Sequence, residues 1–413
     1  MSNVTLFPHQ IEVLKNSESQ NRVAYFLDMG LGKTYVGSEK LNIFGNEYNL
    51  LICQKSKVND WIDHFKEFYP QLNVIDYTKP KAVIDKGVII VNYDLVWRRP
   101  ELKTLADFTL MLDESSLIQN ENAKRSKFIL RMSPKNVILL SGTPTSGKYE
   151  KLWSQCRLLG WNISKRDFYN RYIIEQEINI KTSPFPIKIV VGYKNVEELK
   201  KMLRLYGSHF LKTEDVLSLP EQTFVNIETE TTPAYKRFRK NRVVTVDGNT
   251  LVGDTTLTRM LYERMLCSQY NKNKLDAFAD LIDSTDDRLI VFYNYNAELE
   301  QLQKLVKNRP ISMINGNVKD INNYKQYDNT ITFCQYQAGA MGHNLQLANK
   351  IVYFSLPLSS ELFEQSKKRT HRIGQSKSCF YYVMLCKNSI EEKILETLKK
   401  RQDYTERLFI HND

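Results

Sequence analysis

The chain has 413 residues, 42% of them hydrophobic and 25% charged; this is packed globular composition, and at ~100–200 residues per domain it suggests two or three domains. Sixteen glycines and twelve prolines are too few for low-complexity linkers, which excludes a largely disordered chain. A formal net charge of +11 suits a polyanionic partner, because phosphates attract Lys and Arg and release counterions when neutralised; a basic protein with no such partner fits the charge equally well.

The opening "MSNVTLFPHQ" has neither a signal-peptide nor a transit-peptide pattern, and no apolar stretch approaches the ~18 residues of a membrane span. A cytoplasmic protein with no membrane partner is expected. Cys53, Cys156, Cys267, Cys334, Cys379 and Cys386 are scattered without a C-x-x-C pair or zinc-ligand spacing, so they read as buried free thiols in a reducing compartment.

Five short apolar runs follow: "RVAYFL", "YNLLIC", "GVIIVNY", "TLMLDE" and "NVILLSG". Each reads as a buried strand, and "TYVGSEKLNIF" and "VNDWIDHFKEFY" carry apolar residues at helical spacing between them. That alternation predicts a parallel sheet covered by helices. From about Glu150 longer helical segments dominate, and they read as a helical insertion. The strand rhythm returns near Arg288 with "RLIVFYN", "ISMIN", "TITFCQY", "KIVYFSL" and "CFYYVML", and then gives way to the helix "SIEEKILETLKKRQDYTERL". The expected division is 1–150, 151–280 and 281–413, with no repeat visible between the outer parts.

Three stretches carry chemistry. In "FLDMGLGKTYVGSEK", Phe26 to Lys40, a strand, a turn with Gly30 and Gly32, and a helix starting near Lys33 would aim backbone N–H groups at an anion. Lys33 would reach β- and γ-phosphates and the Thr34 hydroxyl would ligate Mg²⁺. Leu27 stands where the strict phosphate loop has glycine, so a plain strand-to-helix turn stays open at this point. In "LMLDESS" a strand delivers Asp113, suited to Mg²⁺, and Glu114, suited to orienting or deprotonating a water. In "QSKKRTHRIGQ", Arg369 and Arg372 share a face if the run is helical, and two guanidinium groups suit a γ-phosphate; a solvated basic helix face is the alternative.

With these residues in place, the chain resembles the superfamily 2 helicases, and among them the SWI/SNF-type ATPases that translocate on duplex DNA. The likeness runs through nearly the whole chain in motif order. "LFPHQIEVL" is similar to the adenine-recognition motif, with Gln10 as base reader, and "LDMGLGKT" is close to the family's own phosphate loop. "LLICQKSKVNDWIDHFKEF", with Trp61, resembles the segment after the second strand, and "VNYDLV" resembles the family's Ser-Tyr-Asp stretch. "LLSGTPTSGKYEKLW" resembles the motif that links nucleotide state to DNA. "QAGAMGHNLQLANKIVYFSLPLSSELFEQSKKRTHRIGQ" resembles the fifth and sixth motifs, and "VGYKNVEELKKML" resembles the compact annealing-helicase-like branch.

The resemblance implies an α/β fold of two RecA-like P-loop NTPase lobes, parallel sheets covered by helices, with a helical insertion between them. It implies a DNA-stimulated ATPase with ATP and Mg²⁺ as cofactors. Gln10, Met29, Gly30, Leu31, Gly32, Lys33, Thr34 and Gln365 would bind ATP, and Thr34 and Asp113 would hold Mg²⁺. Glu114, Lys33, Arg369 and Arg372 would be catalytic, and Ser116, Ser141, Gly142 and Thr143 would couple the site to DNA. Double-stranded DNA would be gripped through its backbone, without sequence preference, around Lys55, Lys57, Tyr93, Asn315, Asn317, Gly339 and Gly342.

Two departures stand out. Ser115 and Ser116 replace the family's Ala-His, so Ser116 stands where a histidine normally couples hydrolysis to the Ser-Gly-Thr motif. "FLKTEDV" leaves Lys212 in a normally arginine-rich segment. A strand-separating or annealing helicase, or an ATP-binding nucleic-acid-binding module with weak turnover, are the alternative functions, and so compact a chain fits a bacterial or viral source.

Overall fold

A computed structural model of the chain describes residues 4–145, 147–179, 186–339 and 344–409. Two compact units divide it, one reaching Val216 and the other spanning Leu217–Gln402.

In the first unit, β1 (Arg22–Leu27), β2 (Tyr48–Cys53), β3 (Val74–Asp76), β4 (Gly87–Asn92), β5 (Thr109–Asp113) and β6 (Asn136–Leu140) all lie in one sheet. A hairpin, β7 (Ile173–Ile178) and β8 (Ile187–Tyr193), pairs on itself, and β9 (Ser208–Leu211) returns to the sheet. The order is β3-β4-β2-β5-β6-β1-β9, and every pairing is parallel. The apolar runs are continuous rather than alternating because helices cover both faces, so nearly every residue of β1, β2, β4, β5 and β6 is buried.

Helices α1 (Pro8–Asn16), α2 (Lys33–Phe44) and α3 (Val58–Phe68) open the unit. α2 packs very closely: a Cβ added at Gly37 would sit 2.8 Å from Leu140 Cδ1 and 3.2 Å from Met111 Sδ. Glycine here lets the helix rest on β5 and β6, which fixes where its first residue, Lys33, begins. On α3, His64 is buried among Tyr35, Trp61, Phe65, Phe68 and Tyr69, with Nε2 2.9 Å from Ser38 Oγ. Burial lowers its pKa from 6.5 to about 4.

The second unit has the strand order β10-β18-β17-β13-β16-β14-β15. Its members are β10 (Gln222–Thr229), β13 (Leu289–Tyr293), β14 (Ile311–Ile314), β15 (Lys319–Asp320), β16 (Ile331–Gln335), β17 (Lys350–Tyr353) and β18 (Cys379–Cys386). Only the short β14–β15 pairing in this sheet is antiparallel. β11 (Val243–Val246) and β12 (Asn249–Val252) form a separate hairpin closed by Asp247-Gly248, both at positive φ, the backbone that a two-residue hairpin turn demands. A buried ion pair joins Lys274 Nζ to Glu391 at 2.7 and 2.8 Å, and the amide of Cys386 donates to the same carboxylate at 2.9 Å.

The two parallel sheets agree with the sequence reading. The segment 151–280 holds helices as expected, but it also supplies β9 to the first sheet and β10 to the second, and it is shared between the units at Val216/Leu217. All six cysteines are free and buried. Among the described residues no helix is long and apolar enough to cross a membrane.

Candidate functional site

The C-terminal ends of β1, β5 and β6 lie side by side, and in an open parallel sheet that edge is where ligands bind. After Leu27 the chain turns through Gly30 (φ 92°) and Gly32 (φ 75°) before α2 starts at Lys33. The turn is braced from below. Gln10 Nε2 donates to Leu31 O at 3.1 Å, Phe7 N donates to Gln10 Oε1 at 2.9 Å, and His9 Nε2 lies 3.3 Å from Leu31 O. A Cβ on Gly32 would come within 2.2 Å of Gln10 Nε2. Gln10, expected as the adenine reader, is therefore buried with its amide committed to shaping the loop.

Lys33 Nζ donates to Leu27 O at 3.0 Å and Asp28 O at 3.3 Å, and it would lie 3.2 Å from a Cβ on Gly142. Lys33, Met29 and Gly142 thus meet at one point. Asp28 Oδ2 accepts from Thr213 Oγ1 at 3.0 Å and from Thr213 N at 3.3 Å. Thr34 occupies the second position of α2, and its carbonyl accepts from Ser38 Oγ at 2.7 Å.

Asp113 closes β5, beside Leu140 of β6. Trp61 Nε1 donates to its Oδ2 at 2.9 Å, and the Tyr93 hydroxyl donates to its carbonyl at 2.9 Å. Burial raises the Asp113 pKa; the Trp61 hydrogen bond and the charges of Lys33 and Lys57 oppose that rise. Glu114 sits in the left-handed region at φ 52°, a conformation that costs a non-glycine residue about 1 kcal/mol or more and turns its side chain out of the strand. Ser141 Oγ donates to Glu114 Oε2 at 3.3 Å and accepts from Thr143 N at 3.2 Å. Ser116 is buried in the turn Ser115–Ile118.

Lys33, Asp113, Glu114, Ser141, Gly142 and Thr143 are therefore brought together as expected. The donor set suits Mg²⁺: a hydroxyl and a carboxylate are hard oxygen ligands, and a cation beside Asp113 would offset the burial that raises its pKa. The roles of Trp61 and Tyr93 went unread in the sequence. Tyr93, expected to grip DNA, is 2% exposed with its hydroxyl on the Asp113 carbonyl, so it supports the end of β5 instead. Lys55 is exposed, and Lys57 pairs with Asp60 at 2.8 Å. Lys55 also lines a cleft of about 490 Å³ with Lys79, Asn92 and Arg98, beside the ends of β3 and β4.

In the second unit, the helix Ser360–Lys367 ends before the arginines. Arg369 and Arg372 lie in the turns that follow, not on one helix face as the spacing suggested. Arg369 is 2% exposed, with its N–H on Ser366 O at 3.2 Å and its carbonyl accepting from Leu345 N at 3.2 Å. Arg372 is half-buried against Asn344 Oδ1, and burial lowers its pKa. Gln375 Nε2 donates to Ala348 O at 2.9 Å and Gln346 O at 3.1 Å, and Gly374 takes φ 93°; these contacts, rather than a helix, hold the arginine segment. Gln365 is buried and donates to Glu361 at 3.3 Å.

Asn315 Oδ1 accepts from Asn317 N at 2.9 Å and Val318 N at 2.8 Å, closing a turn whose tip at Gly316 and Asn317 is exposed. Gly339 ends the short helix Tyr336–Gly339, and Gly342 lies outside the described residues.

Residues 10–274 match the SNF2-related domain, and residues 273–374 match the helicase conserved C-terminal domain. The SWI/SNF-related matrix-associated actin-dependent regulator of chromatin subfamily A-like protein 1 of Drosophila melanogaster is 23% identical, over 93% of this chain and 53% of that protein. The ISWI chromatin-remodeling complex ATPase ISW1 of Saccharomyces cerevisiae is 24% identical, over 97% of this chain and 40% of that protein. The chain spans about half the length of the curated relatives it matches. The solved SWI2/SNF2 ATPase core of Sulfolobus solfataricus in complex with dsDNA aligns with 98% of this chain and 93% of its own at 19% identity and a TM-score of 0.47. Matched over more than half of its residues, the chain belongs to the SNF2-related domain family, and its second part carries the helicase conserved C-terminal domain.

Proposed function

We propose that this protein is an ATP-driven translocase on duplex DNA, using the triphosphate to change its grip on the backbone without reading bases. One observation carries the reading: Lys33, Asp113, Glu114, Ser141 and Gly142, drawn from three separate strand ends, converge at one edge of the first sheet.

The N–H groups around Gly30 and Gly32 and the start of α2 bind the phosphates, and Lys33 turns from its carbonyl contacts to the β- and γ-phosphates. Thr34 and Asp113 would hold Mg²⁺, which would supply charge neutralisation on the phosphate oxygens. Glu114 orients the attacking water, and the guanidinium groups of Arg369 and Arg372 have the chemistry that stabilises charge developing on a γ-phosphoryl group. Loss of the γ-phosphate releases those contacts and resets the grip.

Basic side chains in the cleft of Lys55, Lys79 and Arg98 and the exposed turn at Asn317 support backbone contact, which carries no base information and falls steeply with salt.

The test is ATP hydrolysis by wild type and Lys33→Ala with and without duplex DNA, combined with displacement of a third strand from a triplex. DNA-stimulated hydrolysis and displacement in wild type, both lost in Lys33→Ala, are expected. DNA binding with no stimulated hydrolysis would instead identify a nucleotide-binding module, and separation of forked strands would identify an unwinding enzyme.

A further inference from the structure

Ser115 and Gln155 are both fully buried, forty residues apart in sequence, on the turn after β5 and the helix Trp153–Leu158. Ser115 Oγ and Gln155 Oε1 are 2.8 Å apart, and Gln155 Nε2 donates to the carbonyl of Pro144 at 2.7 Å. The chemistry leaves one orientation. A carbonyl only accepts, so the NH₂ end of the amide faces Pro144; the oxygen then faces Ser115, whose hydroxyl is the donor.

The two bonds join the turn carrying Asp113 and Glu114 to the loop carrying Ser141, Gly142 and Thr143. Ser141 Oγ, bonded to Glu114 Oε2 at 3.3 Å, is a second and longer tie between the same segments. A shift of the 141–145 loop therefore reaches the hydrolytic turn through Glu114 directly and through the backbone of Ser115 by way of Gln155. Because Ser115 and Gln155 are both fully buried, breaking one bond leaves a buried polar group unsatisfied, so the segments move as one.

The geometry points to Gln155 as a positioning residue that couples the Ser141–Thr143 loop to Glu114, a mechanical role for which Ser116 offers no ring nitrogen. This inference rests on the reading of the protein as a DNA-stimulated ATPase. The sequence around Gln155 carries no motif that marks it.

The experiment measures ATP hydrolysis by the full chain, with and without duplex DNA, for wild type, Ser115→Ala, Gln155→Leu and the double variant, with melting temperature as a check on folding. The ratio of stimulated to unstimulated rate is expected to fall on the order of tenfold in each single variant, the scale of one buried hydrogen bond, while KM for ATP stays within about twofold. The double variant should lose no more than the worse single, because both substitutions cut the same relay. A merely structural glutamine would lower melting and leave the ratio alone. An unchanged ratio in folded Ser115→Ala or Gln155→Leu, or losses that multiply in the double variant, overturns the relay and leaves the ATPase reading standing. If Gln155→Leu does not fold, the Ser115→Ala ratio alone decides. A wild type with no DNA stimulation overturns both.

Discussion

The indole N–H of Trp61 donates a 2.9 Å hydrogen bond to Oδ2 of Asp113, across fifty-two residues of sequence. This bond favours the ionised carboxylate against a burial that disfavours it. Trp61→Phe keeps most of the ring packing and removes the donor. The Asp113 pKa then rises, so the acid limb of the rate–pH profile should move to higher pH, and kcat near neutrality should fall on the order of tenfold. The measurement is kcat against pH at saturating ATP, Mg²⁺ and DNA.

Gly32→Ala tests the phosphate loop. The new Cβ would meet Gln10 Nε2 at 2.2 Å in a backbone at φ 75°. Either Gln10 leaves Leu31 or the loop shifts, and both spoil the anion cradle. Gly45→Ala is the control, because at φ 60° its Cβ would approach nothing closer than Asn42 O at 3.9 Å. Both should lower the melting point, Gly45→Ala through the left-handed backbone cost of about 1 kcal/mol alone. Loss of ATP affinity is expected for Gly32→Ala only, read by nucleotide titration.

His64 makes the first unit acid-sensitive. Its folded pKa is about 4 against 6.5 unperturbed, so the unfolded chain binds the extra proton between those values. Stability is therefore complete above pH 6.5 and falls as pH drops toward 4, by as much as about 3 kcal/mol from this residue. His64→Leu should remove about half of the pH dependence of urea unfolding in that window, since burial lowers His209 of β9 to about 4 as well, and leave it unaltered above pH 7, whatever it costs in absolute stability.

The Lys274–Glu391 pair predicts a stability asymmetry. Lys274→Met abandons a buried carboxylate and should cost about 3–5 kcal/mol, whereas Lys274→Met with Glu391→Leu removes both charges and should recover most of it. Chemical denaturation of the two variants, compared with wild type, gives the difference.

The sheets were legible in the sequence because buried parallel strands need unbroken apolar runs, and "RVAYFL", "YNLLIC" and "GVIIVN" leave few other readings. β9 and β10 were not. "SHFL" is four residues inside helical surroundings, and "QTFVNIET" is an edge strand with Gln222, Asn226 and Glu228 exposed. Gly30, Gly32 and Lys33 were readable as a strand-to-helix turn, and the Asp113-Glu114 pair as a strand end, because glycine and acidic residues break the apolar runs there. Tyr93 and Gln155 were not, because each acts through a main-chain carbonyl, Asp113 O and Pro144 O, and a carbonyl leaves no trace in residue type. The arginine segment misled for a related reason: three-residue spacing fits a helix, but buried tethers from Gln375 and the backbone of Arg369 hold a chain of turns instead.

β9 pairs with β1 residue for residue from Ala24 to Leu27, and two residues beyond it Thr213 is bonded to Asp28 at the mouth of the phosphate loop. The polypeptide leaves the first unit only a few residues later, after Val216. The strand that exits is thus sewn to the strand that leads into the Gly30–Gly32 turn. Tension on the outgoing chain would arrive first at Asp28, so the connection works as a tendon anchored at that turn.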